Sequence, residues 1–458
     1  MESISHKMAK FALELKYEDI PKDAVKEAKR FMLDSMGCAL AAMGNEDMEK
    51  AFEYIKSLGG NEQATIIGYG HRTNMPNSTL MNSLLIRGMD YNDIYWKQDP
   101  SHPSDIIPAA LSTGEYKECS GKDLIVGIVI AYELEMRLCL AAYPGVREVG
   151  WHHATLTQFV SPVVAGRMLG LNEEEIVAAV GISGSCHSTF GGVVAGSLTN
   201  MKNTADPMAT EAGVRAAMLA ETGFSGPVKV FEGKEGLFEV INNVKWDSNI
   251  LTDKLGKNFL ITECEYKAFP TEALTHQPIT AVLELMKEHN IKPEDVESVL
   301  IETTSRGADI LSDPSKYTPK TKETADHSLP YCIAVAIAKG NVLPSDFEPE
   351  ALKDPLVLEL IKKVKVVANP EIDSLFPRVK RAICTVITKD GKNYKKQEDF
   401  AKGSKERPLT DEELISKFRS NASKNISDAR MDKIIKATFD LENLANIKDY
   451  VKLLVSDK

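Results

Sequence analysis

No two of the seven cysteines, Cys38, Cys119, Cys139, Cys186, Cys264, Cys332 and Cys384, stand as a C-x-x-C pair. Their odd number and wide scatter exclude a disulfide framework, a zinc knuckle and a cysteine-held iron–sulfur cluster. Most of them read as small buried apolar groups. Long apolar runs are missing too. The longest, Leu124 to Ala131, is followed by Tyr132 and Glu133 and is far too short to cross a bilayer. Met1 to His6 lacks a basic stretch ahead of an apolar core, so it is no secretory signal, and the cytoplasm is the simplest compartment. A phosphate-binding G-x-x-x-x-G-K-[ST] loop is absent. Gly191-Gly192 does not make a dinucleotide fingerprint, and Gly181-Ile-Ser-Gly-Ser-Cys-His187 is not a nucleophile elbow. These absences remove nucleotide-dependent and acyl-transfer classes.

What is present is ordinary globular material: 43% hydrophobic and 26% charged residues in a chain of 458, long enough for two or three domains. Acidic side chains outnumber basic ones, 66 to 55, for a formal charge of -11. Such a surface repels a phosphate backbone, so nucleic acid is not an expected partner. A small anion is still compatible, because Lys and His gathered in a cleft reverse the field locally.

The periodicity predicts helices over Asp23–Met36, with Pro21 just ahead, and over Asp47–Leu58, stopped by Gly59-Gly60. Helices are also expected over Asn77–Arg87, 122–141, 155–169, 173–185 and 205–223. The last is dense in Ala and Met, with Gly213 inside it, and reads as an interior helix. Near residue 265 the texture changes. Ser298-Val-Leu-Ile-Glu-Thr-Thr alternates as a strand does, Val364–Val367 is β-rich, and Arg381–Thr388 enters a turn at Lys389-Asp-Gly-Lys392. Helices lie between them at Gln277–His289 and Ser328–Lys339. From Thr410 the chain is helical again. The expected fold is mainly α. A large all-helical domain is built from both chain ends, 1–265 and 405–458, with an inserted α+β lid domain over 266–404.

Five segments carry chemistry-bearing side chains. Arg87-Gly-Met-Asp-Tyr-Asn-Asp-Ile-Tyr-Trp-Lys-Gln-Asp-Pro-Ser-His-Pro-Ser-Asp105 gathers Asp90, Asp93, Asp99, Asp105 and His102 among aromatics, stiffened by Pro100 and Pro103. It reads as a site on a loop, or as a solvated acidic turn. Asp and His are also metal ligands, but nothing here has the spacing of H-E-x-x-H or of a histidine pair on one helical face. Gly150-Trp151-His152-His153 offers imidazoles for proton transfer, although a histidine is as readily structural. Lys202 stands immediately ahead of the Ala-rich helix, where an ammonium and free N–H groups together attract an anion; the bland alternative is a solvated lysine. Tyr266-Lys267-Ala-Phe-Pro270 with His276, and Asp326-His327-Ser-Leu-Pro-Tyr331, are sites or simple caps.

Taken in order, these segments resemble the MmgE/PrpD family of 2-methylcitrate dehydratases, cis-aconitate decarboxylases and iminodisuccinate epimerase-like proteins. The matching pieces are Met89-Asp-Tyr-Asn-Asp with His102-Pro-Ser, Gly150-Trp-His, Lys202 before the helix closing in Gly223-Phe-Ser-Gly-Pro227, Lys267-x-x-Pro270 with His276, and His327-Ser-Leu-Pro-Tyr331. The resemblance spans essentially the whole chain. It implies a helical domain, a lid, a homodimer, no metal or organic cofactor, and lyase or isomerase chemistry beside a carboxylate. It places Asp90, His102, His152, Lys202 and Tyr331 as catalytic residues, and Asp93, Ser104, Lys267 and His276 as substrate-binding ones. One departure is Ile94, where family members often carry Thr.

The chemistry so implied is dehydration of 2-methylcitrate or a related hydroxy-tricarboxylate, a step of propionate metabolism. His102 and His152 would serve as acid and base in either order, with Asp90 orienting one imidazole. Lys202 and Lys267 would hold carboxylates, and Tyr331 would meet the hydroxyl or the carbanion. Decarboxylation of cis-aconitate, epimerisation of a dicarboxylate and non-catalytic polycarboxylate binding are the alternatives.

Overall fold

The computed structural model describes residues 2–195 and 198–458. The chain divides into two units, Met1–Cys264 with Thr410–Lys458, and Glu265–Leu409. The return to the first unit therefore falls at Thr410 rather than at 405. The segment 405–409 stays with the second unit because the Arg407 guanidinium pairs with Glu284 and Glu398 there.

The first unit is built of α1 (Ile4–Glu14), α2 (Lys22–Ala42), α3 (Glu46–Leu58), α4 (Met75–Arg87), α5 (Ile107–Lys117), α6 (Gly121–Ala141), α7 (Ala154–Leu169), α8 (Glu173–Cys186) and α9 (Met201–Glu221). Helix starts follow local chemistry. Asn74 caps α4, and Ser120 with Asp123 and Asn172 with Glu175 form reciprocal capping boxes on α6 and α8. Helix α7 is buried on nearly every side, so its apolar residues follow no stripe. The unit is not all-helical. Two-residue strands pair at Ala64–Thr65 with Arg72–Thr73, Tyr95–Trp96 with Pro100–Ser101, and Ala142–Tyr143 with Lys245–Trp246. The second of these closes the Asp90–Asp105 loop into a small hairpin.

Helix α9 packs against α4, α7 and α8. A side chain at Gly213 would place Cβ 2.0 Å from Ser161 Oγ and 2.7 Å from Pro162 N, so the close approach of α9 to α7 requires glycine. Pro162 has no N–H to give the Gln158 carbonyl, and Ser183 of α8 supplies that bond instead at 2.6 Å. Helix Asp411–Ala422, the first after the chain returns to this unit, packs on α2. From it the buried Lys417 reaches Asp34 at 2.8 Å and donates to the Tyr91 carbonyl at 2.8 Å. Both chain ends thus converge on the residue beside Asp90. Among the described residues no helix is long and apolar enough to cross a membrane.

The second unit carries a four-stranded sheet in the order Asn393–Glu398, Ala382–Thr388, Val296–Thr303, Val364–Ala368. The first two pairings are antiparallel and the last is parallel. Ala382–Thr388 alternates buried and half-buried residues, as a strand with one covered face does. Helices His276–Glu288 and Leu329–Lys339 accompany the sheet.

Gly213→Ala is expected to destabilise the first unit by about 1–3 kcal/mol through overpacking. A lowered urea midpoint checks this, and an unchanged midpoint would mean that α7 and α9 separate freely.

Candidate active site

The Asp90–Asp105 loop is no solvated turn: Asp90, Asp93, Asp99, His102, Ser104 and Asp105 are all buried. Helix α4 ends at Arg87, and Asp90 follows in the left-handed region at φ 49°, a conformation that Asp tolerates better than most residues. That turn brings the Asp90 carboxylate back onto the Arg87 guanidinium, while its other oxygen meets Lys202 Nζ at 2.8 Å. Arg87 Nε also lies 3.5 Å from Asp105 Oδ2.

Lys202 is not ahead of the Ala-rich helix but in its first turn, because α9 begins at Met201. Its ammonium is buried and faces a carboxylate rather than water.

Three imidazoles gather beside this pair. His102 Nδ1 donates to the Asp93 carbonyl at 2.6 Å. A carbonyl only accepts, so the proton sits on Nδ1, and in the neutral ring Nε2 carries the lone pair. Asp93 itself accepts from Ser104 Oγ at 2.6 Å and from the Ser104 N–H at 3.1 Å, so these two residues shape the loop that orients His102. Burial pushes the Asp93 carboxyl up to about 6, against the pull of its Ser104 bond.

His152 has the opposite tautomer. The Ala154 N–H donates to its Nδ1 at 3.3 Å, leaving the proton of the neutral ring on Nε2. Burial, and next the neighbouring His153, hold its pKa well below the ordinary imidazole value. The His152 N–H donates to the Thr189 carbonyl at 2.8 Å, and Trp151 bridges Phe190, so the segment after α8 fixes this histidine.

His153 stacks on His152 with ring centroids 3.9 Å apart and lies 5.6 Å from the His102 ring. Its Nε2 is 3.3 Å from Asp206 Oδ2 on α9. Burial lowers the His153 pKa and Asp206 opposes the shift. Burial also works against charge on Asp206, but the two histidines and Arg87 outweigh it and hold its carboxyl below the usual carboxylate range. Asp206 is thus set against an imidazole, and Asp90, expected to orient one, meets Arg87 and Lys202.

Arg87, Asp206 and Glu135 were not singled out from sequence as site residues, and His153 only as the neighbour of the preferred His152. The available signals were charge inside apolar helices, Glu135 within the run of α6 and Asp206 directly before Pro207. His152, His153 and Asp206 also offer donor atoms within 4.8 Å of one another, a spacing a divalent ion could bridge.

The remaining candidates lie in the second unit. Lys267 and His276 are buried, and His276 Nε2 donates to the Thr271 carbonyl at 3.3 Å. Tyr331 is fully buried in its helix, where its hydroxyl donates to the Asp346 carbonyl at 2.6 Å. Its proton is given within that unit. Burial raises its pKa.

A buried acid–base cluster on a helical scaffold defines an enzyme-like site, and the comparisons give its kinship. The MmgE/PrpD N-terminal domain matches residues 6–248 and the MmgE/PrpD C-terminal domain matches residues 269–441. The chain belongs to the MmgE/PrpD family. Its relatives include the cis-aconitate decarboxylase-like protein oryM of Aspergillus oryzae, 26% identical with 99% of this chain and 97% of the relative covered. Cis-aconitate decarboxylase of Homo sapiens is 26% identical, with 99% and 95% covered. 2-Methylcitrate dehydratase of Escherichia coli O157:H7 is 25% identical, with 96% and 95% covered.

Asp99 provides a test of this electrostatic picture. It accepts from the Val146 N–H at 2.7 Å, and burial pushes its carboxyl up to about 7. A raised carboxyl favours the folded state while protonated. Its contribution is full below the unfolded value near pH ~4, falls by about 1.4 kcal/mol per pH unit, and is gone above the folded value. Asp99→Asn should therefore flatten the loss of stability between those limits. Parallel wild-type and variant curves of unfolding free energy against pH would show Asp99 to be ionised throughout.

Proposed function

We propose that this chain is a lyase acting on a small polycarboxylate without metal or organic cofactor, with dehydration of 2-methylcitrate or a related hydroxy-tricarboxylate as its reaction. The observation that carries the reading is the pair of opposite tautomers. His102, with its Nδ1 proton given to the Asp93 carbonyl, would act as the base at Nε2, and His152, with Nδ1 accepting from the Ala154 N–H, would offer its Nε2–H as a hydrogen bond to the leaving hydroxyl. His102 takes the proton α to a carboxylate. The C–H electrons form the double bond, and the hydroxyl leaves as water with a proton from the imidazolium form of the stacked His152–His153 pair, which returns to the neutral state. Asp206, 3.3 Å from His153 Nε2, favours that imidazolium against the burial that opposes it.

Lys202, shared with Asp90, supplies positive charge for a substrate carboxylate and for the enolate-like charge that develops. Lys267 and His276 remain carboxylate ligands in this proposal on the strength of the family resemblance. Tyr331 remains the group proposed to meet the hydroxyl or the carbanion, on the strength of the same resemblance. Cis-aconitate decarboxylation is the second reading, favoured by relatives of that name. There the carboxylate departs as carbon dioxide, its bonding electrons remain on the substrate, and an imidazolium returns a proton to carbon.

The purified protein, treated with chelator, is offered 2-methylcitrate, citrate and cis-aconitate while alkene absorbance and carbon dioxide are followed. Alkene from 2-methylcitrate supports the dehydratase, and carbon dioxide from cis-aconitate moves the assignment to decarboxylation. Activity lost on chelation and restored by a divalent ion would instead assign His152, His153 and Asp206 to a metal. Tight polycarboxylate binding without turnover would make the protein a binder. Lys202→Ala should lower turnover by about two orders of magnitude or more while the far-ultraviolet spectrum is retained. Undiminished turnover would remove Lys202 from the site.

A further inference from the structure

Glu135 projects from the middle of α6, is fully buried, and belongs to no part of the mechanism just described. Its Oε1 lies 2.5 Å from Ser101 Oγ and 3.0 Å from Thr157 Oγ1. Thr157 Oγ1 is in turn 3.3 Å from Asp206 Oδ1, the oxygen of that carboxylate not facing His153. Among the described residues, Glu135 Oε2 is buried without a hydrogen-bond partner.

A hydroxyl has one proton to give. If both carboxylates were ionised, Thr157 could satisfy only one of them, and the bare Oε2 of Glu135 would carry buried, unpartnered charge. A neutral Glu135 removes both difficulties. With its proton on Oε1, each group in the series donates once: Ser101 to Glu135, Glu135 to Thr157, Thr157 to Asp206. The series ends on an anion, as a cooperative chain of hydrogen bonds does. Two groups that act on Glu135 point the same way. Asp206 from α9 and Asp99 from the loop before Pro100 both disfavour a second negative charge. Ser101 and Thr157 pull in the opposite direction, and burial is the largest influence, leaving the carboxyl at about 8.

We propose that Glu135 is a positioning residue that acts as a neutral acid, directing the Thr157 hydroxyl onto Asp206 and so fixing the carboxylate that holds His153. Its role in turnover rests on the lyase reading above, whereas its protonation does not. Ionisation of Glu135 turns the Thr157 proton back toward α6, loosens Asp206, and gives turnover an alkaline limb.

Two readouts test this. The first needs no turnover: the infrared difference between wild type and Glu135→Gln at neutral pH. A protonated-carboxyl C=O band in wild type, lost as the pH is raised past about 8, is the expected result. A carboxylate signal at neutral pH overturns the proposal. The second is the pH profile of kcat on whichever of 2-methylcitrate, citrate or cis-aconitate is turned over. Glu135→Gln, whose amide can still donate to Thr157, should lose the alkaline limb. Thr157→Val should cut kcat by about ten-fold with KM little changed, and Thr157→Ser should restore it. An alkaline limb that survives in Glu135→Gln overturns the positioning role. Failure of all three substrates would sink the lyase reading and leave the infrared arm to decide this one.

Discussion

The first unit depends on one buried guanidinium. Arg87, at the end of α4, has no water to solvate it, and an unmatched ion there would cost several kcal/mol. The chain matches it with Asp90 three residues on and Asp105 beyond the hairpin, and its field reaches Asp206 on α9. Those partners belong to three separate pieces of backbone. Neutralising Arg87 therefore decides where the hairpin loop and the start of α9 must lie. Lys202 joins through Asp90, and the histidines are placed around what results.

This explains why buried charge is so dense here. Asp93, Asp99, Asp105 and Glu135 are all pushed upward chiefly by burial, while Asp206 is held down. The site keeps some carboxyls as acids and some as anions within one interior. Groups of one chemical type with diverging pKa values are the usual substrate of acid–base work. Here the divergence follows from which side chain each carboxyl can reach.

Much of this was legible in the sequence, for identifiable reasons. The helices of the first unit follow apolar spacing and caps, and the change of texture near residue 265 marks the strand-bearing unit. The hairpin loop stood out because Asp, His and aromatic residues crowd between prolines. Glu135 and Asp206 did not, since each sits in a helix whose apolar texture reads as core, and their pairing through Thr157 joins residues far apart in the chain. The start of α9 was placed late, at 205 instead of Met201, because helix starts are set by backbone geometry that composition does not fix. Tyr331 was singled out by its motif. The bond from its hydroxyl to the Asp346 carbonyl is one that no local pattern announces.

Cys186 closes α8 as an exposed thiol, whereas Cys38, Cys139, Cys264, Cys332 and Cys384 are buried and Cys119 is half-buried with its thiol pushed up by burial. It stands just ahead of Thr189 and Phe190, whose backbone grips His152 and Trp151. The native chain therefore carries a reactive handle at the edge of its own acid–base cluster. A fluorophore or spin label attached there would report on the histidine-bearing segment without any cysteine having to be engineered in.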